Sequence, residues 1–411
     1  MKWSLLPLLF TVFIDSLGFG LVFPIFSPLL LDVQGGMVGA EVSLGTRGAL
    51  VGLLISSFCI AQFFSGPFLG AHSDKKGRKK ILLYTVLAAF ASYLMAGLAI
   101  SYGLLWLLFI SRIAAGISAG NYAIAQSTIV DTSQEKEMAN NFGLIGMAWG
   151  LGFIIGPYIG GKLLVPSFFS SGAWTTPFWF AAFLCGVNYL LLWFGMRETL
   201  PASSQIKMSL SLGVRHLKMA FTHPTLRGLF IGMFLFSFGW GFFTEFSPIF
   251  LIRRMDFSVT DIANFYAYVG ICIAVSQGVL IRPFVKKFAP HQILLFGLLT
   301  IGVALPFMLA ATSFFHLLFV LPFIAFAESL IGPTATTLVS NLTPKENQGE
   351  MLGIYNSIQW AAIGLAPLFT GSFVTLYTHL PITVASGTMF IAWLVYYFVF
   401  KKIKQPEIPR V

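Results

Sequence analysis

Three carboxylic acids stand inside long apolar runs of this sequence: Asp15, Glu245 and Glu328. A fourth ionisable group, Arg112, stands in a run of the same kind. Such side chains are costly in hydrocarbon, about 2.5–3.5 kcal/mol on insertion scales, and where they occur they mark paths for ions and solutes. A carboxyl deep in an apolar run can take up a proton and give it back as its access to water changes, which is what coupling to a proton gradient requires. The competing reading is a structural acid, kept neutral or hydrogen-bonded beside Ser, Asn or a broken helix. For Asp15, holding a cationic substrate is a third use. A guanidinium keeps its proton. Arg112 must therefore face polar partners or a water-filled cavity, or else snorkel to the membrane surface.

The runs that carry these groups define the chain. Of 411 residues, 57% are apolar and 10% are charged, against roughly 25% charged in a soluble domain. Apolar stretches of roughly 20 residues recur, each long enough to cross the hydrocarbon as a helix. They are unbroken rather than alternating, so the expected fold is all-α and integral to the membrane, with 12 spans near residues 4–31, 46–69, 81–100, 103–130, 139–164, 175–195, 228–251, 260–281, 291–312, 314–340, 350–377 and 380–400. The net charge of +10 is a topology signal and not a nucleic-acid footprint. With the N-terminus cytoplasmic, 20 of the 25 Lys and Arg fall in cytoplasmic segments, and the outer loops hold only Arg47, Lys162, Arg253 and Arg254. That bias places both termini in the cytoplasm. The first run is too long for a signal peptide, contains Asp15 and lacks a small-residue cleavage site. Short outer loops point to a multi-pass protein of a bacterial inner membrane. Cys59, Cys185 and Cys272 lie within spans and read as packing residues.

Six spans are joined to six by a basic stretch, residues 197–227. This divides the chain into an N-terminal bundle, 1–196, and a C-terminal bundle, 228–411. Part of the stretch, near Leu210 to Ala220, reads either as an amphipathic surface helix or as a plain linker. The halves match at an offset of 210 residues: Phe142-Gly143 with Leu352-Gly353, and Gly156-Pro157 with Ala366-Pro367. Gly18/Gly20 and Gly239/Gly241 repeat as well, each pair followed by Ser-Pro, with the register slipped by one. Repeats of this kind build a site between two rocking units.

Between spans 2 and 3 runs Gly70-Ala71-His72-Ser73-Asp74-Lys75-Lys76-Gly77-Arg78-Lys79-Lys80. This loop resembles the signature loop of the major facilitator superfamily, Gly-x-x-x-Asp-x-x-Gly-Arg-basic-basic. Asp74 sits just before span 3, where a helix N-terminus favours negative charge. Arg78 can pair with Asp131 at the end of span 4, and such a cluster would latch the cytoplasmic side. Arg112-x-x-x-Gly116-x-x-x-Gly120 is similar to the family's second motif, whose arginine the resemblance ties to proton coupling. Span 5 carries Gly152, Gly156-Pro157 and Gly160-Gly161, small residues that let helices approach closely. It resembles the motif of the family's antiporters. Span 1, from Asp15 through Gly18, Gly20 and Pro24 to Pro28, is similar to the first helix of tetracycline/proton antiporters and drug-exporting relatives. The second-half copy of the signature loop is degenerate, with Arg282 where the acid would stand.

The resemblance implies two six-helix bundles related by a pseudo-twofold axis. It implies a monomer that carries a small molecule by alternating access, with protons as the coupling ion and no other cofactor. The coupling residues would be Asp15, Arg112, Glu245 and Glu328. By family analogy spans 1 and 7 line the cavity, and their rings suit an aromatic, amphipathic solute, with cation–π help if it is cationic. The expected cavity residues are Phe19, Phe23, Asn121, Gln126, Phe238, Trp240, Phe242, Gln277, Asn356 and Gln359. Each polar one has a helix–helix hydrogen bond as its alternative. Efflux by proton antiport is the leading expectation, and proton-driven import of a metabolite such as a siderophore, sugar or organic acid is the alternative. The six histidines are scattered, and the sequence shows no metal-ligand cluster, nucleophile elbow or ATP-binding loop, which argues against an enzyme or a self-powered pump.

Overall fold

The computed structural model describes residues 5–21, 23–31, 37–132, 135–164, 174–199, 212–343, 348–374 and 377–400. Among these the regular structure is helical. The helices are α1 (Leu6–Leu21), α2 (Phe23–Leu31), α3 (Leu44–Lys76), α4 (Arg78–Ser101), α5 (Leu105–Ser118), α6 (Asn121–Thr132), α7 (Glu135–Lys162) and α8 (Thr176–Gly195). After the short α9 (Leu212–Thr222) come α10 (Arg227–Met255), α11 (Val259–Val275), α12 (Ile281–Lys287), α13 (Pro290–Ala310), α14 (Phe314–Asn341), α15 (Gln348–Val374) and α16 (Leu380–Val395). Among the described residues eleven stretches are long and apolar enough to cross a membrane. The helix α15, between the last two of them, completes the twelve expected positions. At about 1.5 Å per residue, α3 is roughly 50 Å long, which carries its end beyond the hydrocarbon to the signature loop.

Packing follows the repeat. In the first half α1 packs on α7 and α4 on α8; in the second α10 packs on α15 and α13 on α16. The halves meet most extensively where α3 lies against α15 and α7 against α11. Exchanging the halves six spans at a time turns one of these contacts into the other, as a pseudo-twofold axis demands. Small residues permit both: a Cβ on Gly364 of α15 would stand 2.8 Å from the Cys59 Cβ of α3, and Gly270 of α11 lies under Ile154 of α7.

Span 4 is interrupted at Ala119-Gly120, between α5 and α6. A break inside hydrocarbon frees carbonyls that water cannot reach. Side chains of α3 take them: Ser65 Oγ donates to the Gly116 carbonyl at 3.1 Å and Gln62 Nε2 to the Ala119 carbonyl at 3.4 Å. Gly116 is obligatory there, since a Cβ would run into the Phe58 carbonyl.

One expectation changes and one alternative is decided. Arg47, read as an outer-loop charge, is fully buried. It donates to the carbonyls of Leu30 (3.1 Å), Val38 (3.0 Å), Gly39 (2.6 Å) and Val42 (3.1 Å), and so ties the end of α2 and the following turn to the start of α3. The joining stretch does contain a helix, α9, which lies against α3, α10 and α15. Leu217 and Met219 face the second-half core, Ala220 is buried within it, and Arg215 and Lys218 are exposed.

Candidate transport site and signature loop

At the loop end of the molecule Arg78 is buried and richly bonded. It pairs with Asp74, and its Nε meets Asp131 Oδ2 at 2.9 Å. Nη1 donates to Ser73 Oγ at 2.6 Å. Gly77, at φ 98°, makes the turn between α3 and α4 that aims Arg78 this way. Glu198, just past α8, accepts the Arg78 backbone N–H at 2.7 Å, a carboxylate at the start of α4. Nothing in the spacing of the sequence singled out Glu198. Arg78→Gln leaves Asp74 and Asp131 facing each other without a cation. Transport is expected to slow about tenfold or more while equilibrium substrate binding changes by less than about threefold, a turnover-against-binding split read from vesicle uptake and detergent binding.

Toward the middle, α1 is held to α7 by the glycines of span 5. A Cβ on Gly156 would lie 2.5 Å from the Leu17 carbonyl, and one on Gly160 2.8 Å from that of Leu21. Gly152 lies against the Phe13 carbonyl, and Pro157 packs on Gly20. Gly161 is buried on the same helix. Ser16 Oγ donates to the Trp149 carbonyl at 2.6 Å, which fixes the rotation of α1 against α7. That rotation turns Asp15 into a small cavity walled by Phe19, Phe58, Tyr122, Trp149 and Trp360, with Gln62 and Ser16 as polar neighbours. Trp360 comes from α15, so the second half closes a cavity otherwise built by the first. Asp15 is half-buried with its Oδ2 enclosed, and the Asn121 amide stands beside the carboxyl as its hydrogen-bonding neighbour.

Arg112 is 2% exposed, so it does not snorkel. Its guanidinium lies 5.5 Å from the ring centres of both Phe26 and Phe58. The Tyr93 hydroxyl lies beside it and presses on Gly18 of α1. Glu245, on α10, is 2% exposed, and neither carboxyl oxygen has a partner. Cys59 lies near both Glu245 and Arg112. Glu328 Oε2 is buried and unbonded, with Tyr355 adjacent. Tyr355 neighbours Gln359 and Thr336 in its own half and Tyr122 across the interface. Next to Tyr355 on α15, Asn356 Nδ2 donates to Gln126 Oε1 at 3.3 Å, joining the halves directly. The three acids thus occupy separate places around the interface, and Tyr122 connects the Asp15 cavity with the Tyr355–Glu328 group.

Other expected cavity residues lie elsewhere. Phe242 is buried in the second-half core, 5.0 Å from Phe238, and Trp240 packs 5.3 Å from Phe243. Gln277 is exposed. It stands at the start of the π-helical turn Ser276–Leu280. The Phe23 side chain is outside the described residues. Tyr93, Trp149, Trp360, Tyr122 and Tyr355 went unmarked in the sequence. Trp149 and Trp360 stand 211 residues apart, within one of the repeat offset, and that was the available signal.

A family model described as the Major Facilitator Superfamily matches residues 8–304 and 278–411. The chain belongs to the Major Facilitator Superfamily. Among the superfamily's members it is 28% identical to the class C tetracycline resistance protein of Escherichia coli, over 85% of this chain and 84% of that one. It is also 28% identical to multidrug resistance protein 2 of Bacillus subtilis, over 95% and 93%. Its fold matches that of a D-xylose-proton symporter with a TM-score of 0.74, at 17% identity over 97% and 98% of the two chains. The protein is therefore a multi-pass membrane transporter with relatives named for tetracycline and multidrug resistance, built on the fold its sequence implied.

Proposed function

We propose that this transporter is a proton-coupled antiporter that exports an aromatic, amphipathic small molecule by alternating access. The observation that carries the reading is Asp15: a half-buried carboxyl, beside the Asn121 amide, that faces an aromatic cavity closed by both halves, in a chain whose relatives are named for drug resistance. Protons arriving from outside neutralise Asp15, Glu245 and Glu328. Substrate and proton compete for the cavity carboxyl, so neither crosses without displacing the other. Rocking parts the α3–α15 and α7–α11 contacts in turn, with the loop face in the cytoplasm and the Arg78 cluster latching it.

Import by proton symport would use the same acids, and the direction of coupled flux separates the two. In inverted vesicles energised acid-inside, tetracycline or another aromatic amphiphile should accumulate and should leave when the gradient is collapsed. Accumulation only with the opposite gradient would establish symport.

A further inference from the structure

The cavity and its arginine are separated by one ring. Phe58 lines the cavity, and its face lies 5.5 Å from the Arg112 guanidinium. On the cavity side it stacks on Phe19 at 5.3 Å, and Phe19 meets Trp360 edge-on at 5.7 Å. Phe26 covers Arg112 from another direction. The order is guanidinium, Phe58, Phe19, Trp360, running from the first half into the second. Phe58 is held in this order by its backbone, whose carbonyl abuts Gly116 so closely that no Cβ fits between them. The cavity wall therefore presents the Asp15 carboxyl, and none of the residues lining it is cationic. Arg112 Nε and Nη2 make no hydrogen bond, so the guanidinium is not neutralised through those atoms. A ring of this kind attracts a cation on each of its faces.

We propose that Phe58 determines the charge selectivity of the site: by keeping Arg112 out of contact with the cavity it leaves Asp15 as the charged group a solute touches, so that the cavity takes aromatic cations and rejects anions. This rests on the reading of the cavity as the substrate site. Removing the ring exposes the arginine and admits anions.

The test uses tetraphenylphosphonium and tetraphenylborate, ions of one shape and opposite charge. Binding to purified transporter is measured by equilibrium dialysis against protein-free micelles. Wild type should bind the phosphonium about tenfold or more tightly than the borate. Phe58→Ala should bring the ratio to about one, chiefly through tighter borate binding. The double variant Phe58→Ala/Arg112→Gln should restore the cation preference, an outcome that general loosening of the cavity cannot produce. A charge-blind wild type, an unchanged ratio in Phe58→Ala, an equal loss of both ions, or a double variant that stays charge-blind would each overturn the proposal. If the alanine variant does not fold, Phe58→Leu carries the test, and its ratio must fall by about threefold or more. Proton-driven uptake into vesicles is measured alongside. Charge-selective binding without such uptake would overturn the antiport reading alone, and uptake with charge-blind binding would overturn the role of Phe58 alone.

Discussion

Gly156→Val is expected to abolish folded, active transporter, whereas Gly146→Ala is expected to do nothing measurable. At Gly156 the added Cβ would sit 2.5 Å from the Leu17 carbonyl, with Gly20 Cα and the Leu21 amide each at 3.1 Å. These are backbone atoms of α1, so no side chain can swing aside. A carbon normally keeps about 3.3–3.6 Å from a carbonyl oxygen, so α1 and α7 must part by about 1 Å. Inserting such bulk into a packed core typically costs about 1–3 kcal/mol. Here it also moves Asp15 out of register with Trp149, because Ser16 bridges the same pair of helices. Gly146, on the same helix, has nothing within 4 Å of its added Cβ and changes stability by less than about 0.5 kcal/mol. Thermal unfolding in detergent, size-exclusion yield and vesicle uptake read the contrast. Equal loss from both substitutions would place the function of span 5 outside its contact with α1.

Asp15→Asn is the second large effect. The amide keeps the shape of the carboxyl and ends its titration. Gradient-driven transport should fall about tenfold or more, equivalent to about 1.4 kcal/mol per decade. Substrate binding should also lose its pH dependence. In the wild type the proton competes with a cationic solute, so binding weakens as pH falls and strengthens as pH rises. In Asp15→Asn the profile should be flat. Substrate-induced proton release, followed with a pH dye in lightly buffered detergent solution, should vanish in the variant. Persistence of both the release and the pH profile would pass the coupling role to Glu245 and Glu328, which lie apart from this cavity.

These two predictions separate what the linear sequence determines from what packing adds. The apolar runs settle the number of spans because hydrocarbon admits only stretches that satisfy their own backbone. The offset of 210 residues between Gly156-Pro157 and Ala366-Pro367 settles the repeat, and the structure shows its meaning: Gly20 meets Gly156 in one half as Gly241 meets Ala366 in the other. The loop Gly70 to Lys80 announces the family. It also lets Arg78 and Asp131 be paired on paper, since both stand at one end of their spans. All of these are local properties, of composition, spacing and charge placement, and each can be read along the chain.

The surroundings of each buried charge were decided only by the tertiary structure. Arg112 could snorkel or face water by its position alone, and it is instead enclosed by Phe26 and Phe58, rings from two other spans. Gln62 and Ser65 acquire their purpose only when the break at Ala119-Gly120 is brought against them. Gln277 shows the converse: expected in the cavity from its place in the span, it is exposed. With 44 phenylalanines in the chain, ring composition could not say which few line a cavity. That depends on the rotation of each helix about its own axis. In lipid, apolar side chains are nearly indifferent to that rotation, so close backbone contacts such as Gly156 against Leu17 set it.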